Sequence, residues 1–211
     1  MKWLLVLLLL FVPIPFYWNI QPIYFIQKWL HKFLILKGLR RMDFEKARKN
    51  LFEFDDVMRA HGVQYWLSEG TALGVTRERS FIKWDDDLDF GMFESQRKKF
   101  IKGALPDLRS RGFHLVMVYN QGHFFGFVRD GEMIDVDIVS REGKCVACHT
   151  VAARCSTCDS MIPYLGGLHT VEFLGRDFYI PGEDYLEYLY GPDWNVPIKT
   201  SLLGKINGFI K

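Results

Sequence analysis

The chain has 211 residues, 49% of them hydrophobic and 16% aromatic, a composition that can bury a core and excludes wholesale disorder. Its formal charge of +2 hides a split: residues 1–41 hold six Lys/Arg and no acid, which leaves 21 basic and 25 acidic groups, or −4, for the remaining 170 residues. A mildly acidic domain without a long Lys/Arg run excludes nucleic-acid binding by charge, and the length suits one domain with an appendage.

The appendage comes first. Residues 3–12 are apolar without interruption, and after Pro13 and Pro15 apolar character resumes through Ile26. The first run alone matches the apolar region of a signal peptide, whereas residues 1–26 together are long enough for a membrane segment. No Ala precedes Ala47, so the small-residue cleavage pattern is missing and an uncleaved anchor is expected. Residues 27–41 form a basic juxtamembrane linker with Lys28, Lys32, Lys37, Arg40 and Arg41. Positive-inside bias would place the following domain on the cytosolic side. The same stretch could instead lie on anionic lipid as an amphipathic helix.

The domain is expected over residues 42–211, beginning with a helix capped by Asp43 that ends near His61 and Gly62, with Phe44, Ala47, Leu51, Phe54 and Met58 on one face. A strand at 63–67 follows, then a Gly70-Thr71 turn or short helix through Val75, and a strand at 84–92. Residues 95–102 look helical, with Arg97, Lys98, Lys99 and Lys102 as a solvated face. Strands are expected at 113–119, 123–129 and 132–139, with hairpin turns at 120–122 and at Asp130-Gly131. A hairpin around Gly175-Arg176 and a helix over 182–190 close the domain. This order implies an α+β fold with an antiparallel or mixed sheet flanked by helices.

All four cysteines fall in a loop at 140–160, as Cys145-x2-Cys148-x6-Cys155-x2-Cys158. Two C-x-x-C knuckles fit a structural Zn²⁺. Two disulfides are the alternative in an oxidising compartment. Trp194 and Tyr190 read as packing residues of the C-terminal segment, and Tyr65 and Trp84 as packing residues that could also stack a base or sugar.

The chemistry concentrates in Trp84-Asp85-Asp86-Asp87-Leu88-Asp89-Phe90-Gly91-Met92. Strand alternation puts Asp85, Asp87 and Asp89 on one face and Leu88, Phe90 and Met92 on the other. Three stacked carboxylates repel one another, and a divalent cation relieves that repulsion. Hard oxygen ligands favour Mg²⁺ or Mn²⁺ with a substrate phosphate. A second carboxylate strand, with Asp135 and Asp137 on one face, could add a ligand if it lies beside the first. Gly70 and Thr71 open a helix whose N–H groups and hydroxyl suit a phosphate, and Arg77 could reach the same anion. No general base is assigned; Asp135 and Asp89 are the candidates.

The run at 66–91, W-L-S-E-G-T-A-L-G-V-T-R-E-R-S-F-I-K-W-D-D-D-L-D-F-G, resembles the LicD/fukutin family of nucleotidyltransferase-fold proteins. Residues 134–139 and the segment Y-L-E-Y-L-Y-G-P-D-W-N-V-P at 185–197 resemble two further blocks of that family. The resemblance implies transfer of a phospho-alcohol, of ribitol phosphate or phosphocholine type, from a CDP-activated donor to a glycan or glycoprotein acceptor. It implies metal binding by Asp85, Asp87 and Asp89, with Asp137 as the added carboxylate, and donor-phosphate contacts from Gly70, Thr71 and Arg77. It also implies a single-pass Golgi protein with a lumenal domain, against the charge rule. This chain departs from fukutin-like members in lacking a long stem. Two other readings use the same residues: a glycosyltransferase holding Mn²⁺ and a nucleotide sugar, and a non-catalytic membrane-anchored module.

Overall fold

The computed structural model describes residues 42–119, 122–139 and 167–197. The expected anchor, basic linker, turn at Asn120-Gln121 and four-Cys loop lie outside the described residues. None of the described helices is long and apolar enough to cross a membrane.

Helix α1 (Phe44–Ala60) starts where expected, because the Asp43 side chain accepts from the N–H groups of Glu45 and Lys46, each at 3.2 Å. Its buried stripe of Ala47, Leu51, Phe54, Val57 and Met58 is fully sequestered. At roughly 1.5–3 kcal/mol for each large apolar side chain removed from water, that stripe fixes α1 to the sheet. Strand β1 (Trp66–Leu67) is shorter than the expected 63–67, since it pairs only with Gly91 and Phe90 of β2. Helix α2 (Glu69–Glu78) follows directly, then β2 (Asp87–Phe93).

The onset of β2 differs from the expected Trp84 because the Asp85 N–H bonds back to the Ile82 carbonyl at 3.0 Å, closing a turn before the chain enters the sheet. The helical run α3, over 94–110, extends well past the expected end at 102. Its middle, Phe100–Ala104, is a π-helical stretch. Pro106 sits in the first turn of the succeeding segment Leu105–Ser110, where a missing N–H is tolerated.

Strands β3 (His114–Tyr119), β4 (Phe124–Arg129) and β5 (Glu132–Val139) complete the sheet in the order β1-β2-β5-β4-β3. Among the described strands, only the β2–β5 pair is parallel. Asp130 (φ 52°) and Gly131 (φ 84°) make the β4–β5 turn with both residues left-handed, as the Asp-Gly signal foretold. The second sheet is the hairpin β6 (His169–Phe173) and β7 (Arg176–Ile180). Its turn is Leu174-Gly175, one residue earlier than expected, with φ of 54° and 85°. Arg176 ties this hairpin to α1 through Asp55 (3.1 Å), Asp56 (2.6 Å) and the Phe52 carbonyl (3.2 Å). Tyr65, considered above for stacking, is 9% exposed and donates to Asp55 at 2.8 Å, so it is a packing residue. Helix α4 (Glu183–Tyr190) ends the described fold.

The main core lies on one side of the five-stranded sheet, where Leu88, Phe90, Met92, Ile134, Val136, Phe125 and Phe127 meet α1 and α3. The other side carries the aspartates. A satellite cluster of Trp66, Ala72, Leu73, Ile82, Tyr185 and Leu186 joins α2 and α4 over that side.

Candidate metal and nucleotide site

Asp85, Asp87 and Asp89 come together although only two of them are in the strand. One carboxylate oxygen from each lies within 4.8 Å of the others. Oxygens bound to one hard cation at roughly 2.0–2.6 Å have such separations, so the three could share a single divalent ion. The register brings in the second carboxylate strand: Asp135 stands opposite Asp89, and Asp137 opposite Gly91. Asp135 is 1% exposed and its charge acts on Asp89. Asp137 is half-buried, one position pair further from the triad. The geometry thus puts Asp135, ahead of Asp137, next to the cluster.

At the Gly-Thr turn, expected as a phosphate cradle, both residues contact Asp89. The Gly70 N–H donates to Asp89 Oδ2 at 3.0 Å, and the Thr71 hydroxyl accepts from the Asp89 N–H at 2.8 Å. The Ser68 N–H donates to the Asp89 carbonyl at 3.0 Å. Asp89 is therefore fastened to the N-terminus of α2, whose positive end favours negative charge. Gly70 has to be glycine for a second reason: a Cβ there would overlap Asp85 Oδ2 and lie 3.1 Å from Asp89 Oδ2. Gly91 is likewise constrained, since a Cβ would lie 2.5 Å from Trp66 Cζ2.

Arg77, expected to contact a donor phosphate, is engaged within the fold. Its side chain is 9% exposed, ion-paired to Glu78 at 2.6 Å, and donates to the Trp194 carbonyl at 3.2 Å. It stands two helical turns from Gly70 and ties α2 to the segment after α4.

Glu69 was not among the expected site residues. Glu69, the first residue of α2, is half-buried and left-handed (φ 38°), and its charge bears on Asp89. Its position next to Gly70 was the available signal. Tyr190, expected to pack the C-terminal segment, is 44% exposed.

Burial raises the Asp89 pKa well above the usual carboxylate value, and the charges of Asp87, Glu69, Asp85 and Asp135 push it further. The helix terminus therefore offsets only part of the repulsion. Between the ordinary value of 3.8 and the raised one, the folded state holds a proton that the unfolded chain has released. Stability from this group is full below the unfolded value and is lost as pH rises through the folded one. The thermal midpoint of chelator-treated protein is thus expected to fall as pH rises above 3.8. Mn²⁺ is expected to restore it by an amount that grows with pH. A pH-independent gain from Mn²⁺, or a slope unchanged in Asp89→Asn, would contradict this account.

A mixed α+β sheet with a parallel carboxylate pair, capped by a helix terminus at its first strand, is the arrangement of a nucleotidyltransferase-like domain. The nucleotidyltransferase domain of the LicD/FKTN/FKRP family matches residues 62–183. The chain belongs to that family.

Among curated relatives, it is 28% identical over 173 residues to the ribitol-5-phosphate transferase FKTN of Macaca fascicularis, covering 75% of this chain and 35% of that protein. The Mus musculus FKTN is 27% identical over 180 residues, with the same coverage of 75% and 35%. The ribitol 5-phosphate transferase FKRP of Homo sapiens is 46% identical over 37 residues, 18% of this chain and 8% of that protein. The match thus spans about a third of the FKTN relatives. Of solved structures, the antibiotic-resistance factor ANT(2'')-Ia superposes with a TM-score of 0.50 at 12% identity, over 80% of this chain and 83% of that one. That likeness concerns the fold.

Proposed function

We propose that the protein transfers a phospho-alcohol, of ribitol phosphate or phosphocholine type, from a CDP-activated donor to a glycan or glycoprotein acceptor. The observation that carries this reading is the Asp85–Asp87–Asp89 cluster fastened to the N-terminus of α2 and faced by Asp135, in a chain of the LicD/FKTN/FKRP family. The all-oxygen donor set suits Mg²⁺ or Mn²⁺. Asp85, Asp87 and Asp89 would hold the ion, with Asp135 beside them and Asp137 further along the same face. Once bound, such an ion neutralises donor phosphate charge during in-line displacement at phosphorus. In the reaction, the acceptor hydroxyl oxygen bonds to the phosphorus that carries the alcohol, and CMP leaves. The hydroxyl proton passes to a carboxylate of the cluster, for which Asp135 and Asp89 are the candidates.

The reading extends to the undescribed parts. Residues 1–26 would anchor the chain in a secretory-pathway membrane with the domain lumenal, and Cys145, Cys148, Cys155 and Cys158 would hold a structural Zn²⁺. Elemental analysis of purified protein tests the latter: zinc at one equivalent is expected, and a metal-free protein without free thiols overturns it.

The function is tested by offering the full chain in detergent CDP-ribitol, CDP-choline and UDP-sugars with Mg²⁺ or Mn²⁺, with and without glycan acceptors. CMP release is expected, lowered at least about a hundredfold in Asp87→Asn, since bound-metal stabilisation is worth several kcal/mol. UDP release from a UDP-sugar would replace this reading with a glycosyltransferase. Metal binding without release from any donor would favour a non-catalytic module.

A further inference from the structure

Ser68 precedes α2 with the extended backbone (φ −119°, ψ 172°) of a helix-capping residue, and its carbonyl accepts from the Ala72 N–H at 2.8 Å. A serine in that position ordinarily turns its hydroxyl onto the N–H of the second or third helical residue, here Gly70 or Thr71. Ser68 makes no such bond. Its Oγ lies instead 2.9 Å from the Tyr185 hydroxyl of α4. The Gly70 N–H donates to Asp89 Oδ2 at 3.0 Å, so a carboxylate from β2 stands where the helix's own serine would cap.

Two acceptors thus compete for one helix terminus. The start of α2 is also held away from its local optimum: Glu69, a non-glycine residue, is left-handed at φ 38°, a conformation that persists only where the surroundings impose it. Helix α4 supplies part of that constraint. Tyr185 and Leu186 are each 1% exposed and pack with Ala72 and Leu73 of α2, and Ser68 is 6% exposed. In so buried a setting a hydroxyl without a partner is costly. Ser68 Oγ has two ways to be satisfied, Tyr185 or its own helix, and only the first leaves the Gly70 N–H to Asp89. Whichever of the two hydroxyls donates, the pair fixes the serine side chain.

We propose that Tyr185 is a positioning residue for the metal site: its hydroxyl keeps Ser68 Oγ from capping α2 and so reserves the Gly70 N–H for Asp89. This deepens the function proposed above and rests on it for a divalent ion at the Asp85–Asp87–Asp89 cluster. The action of Tyr185 runs through Ser68 and Asp89, at one remove from the ion, and it gives α4 a part in the site.

The test is a double-mutant cycle on the full chain in detergent, titrated calorimetrically with Mn²⁺, with thermal midpoints measured in chelator. Tyr185→Phe keeps the ring that packs on α2 and removes the hydroxyl. It is expected to weaken Mn²⁺ binding about tenfold, the lower end for partners that orient metal ligands. In a Ser68→Ala background no hydroxyl remains to turn back onto the helix, and the same substitution is expected to leave Mn²⁺ affinity unchanged. A general loosening of α4 would weaken binding equally in both backgrounds, and that result overturns the proposal. Unchanged affinity in Tyr185→Phe alone does so as well. Loss of folding in Tyr185→Phe that Ser68→Ala does not repair also overturns it. Wild type that binds no Mn²⁺, or Asp87→Asn that binds it as tightly as wild type, refutes the metal site itself and this proposal with it.

Discussion

Gly70→Ala is expected to weaken Mn²⁺ binding about 10- to 100-fold, the usual cost of disturbing a partner that orients metal ligands, and to lower turnover with it. Two effects oppose each other at this position. Alanine in place of glycine within a helix favours folding by roughly 1 kcal/mol. Against that, the new Cβ would overlap Asp85 Oδ2 and lie 3.0 Å from Asp85 Cγ and 3.1 Å from Asp89 Oδ2. Asp85 is half-buried and precedes the strand, so its side chain can swing away at little cost to the fold. Asp89 is buried and held through the Gly70 N–H, so it has nowhere comparable to go. The variant is therefore expected to fold at near-wild-type stability with a dismantled triad. Titration with Mn²⁺ alongside a denaturant curve checks both halves. Undiminished Mn²⁺ affinity would show that these carboxylates are not the ligands.

Phe54→Ala should give the converse result. Phe54 is fully buried, stacks on Phe90 with centroids 4.0 Å apart, and meets Tyr65 and Phe113 at 5.4 and 6.2 Å. Removing such a ring from a packed core costs about 3–5 kcal/mol. Because rings from β2 and from the residues leading into β1 and β3 all converge on it, collapse to fill the space is difficult. Phe90 alternates with Asp89 and Gly91 and faces away from the carboxylates, so Mn²⁺ affinity measured well below the unfolding midpoint is expected to persist. A loss of less than about 1 kcal/mol, the scale of a single-methylene change, would mean that the cavity closes and the stack is not central. Together the two variants separate the sheet's two faces, one for stability and one for chemistry.

The parts of this fold that sequence disclosed are those governed by neighbours along the chain. Asp43 as a cap, Asp130-Gly131 as a left-handed turn, and the alternation of Asp135 and Asp137 with Ile134, Val136 and Ile138 are local rules, and they appear as expected. The common face of Asp85, Asp87 and Asp89 was legible for the same reason, even though the strand begins only at Asp87. What stayed hidden depends on partners far away in sequence. Gly70 and Thr71 carry the chemical signature of an anion cradle, and nothing local says that the Gly70 N–H donates to Asp89 while the Thr71 hydroxyl accepts from it. Arg77 looked free until the chain returned to place Trp194 beside it. The order of Asp135 and Asp137 relative to the triad was likewise fixed by a register that no single strand encodes.

The one parallel pairing in the sheet sets a timetable. Antiparallel neighbours joined by a tight turn can zip as soon as they are made, whereas β2 must wait until α3, β3 and β4 have been synthesised and ordered before β5 can lie alongside it. Such long-range closure is intrinsically slow. A nascent chain therefore possesses the Asp85–Asp89 segment and its α2 clamp early, and acquires Asp135 late. A divalent ion present during synthesis would find a partial, local site first and a complete one only after the crossover closes. The cation would then act as a template for assembly as well as a reagent, and refolding in chelator should be slower than refolding with Mn²⁺ present.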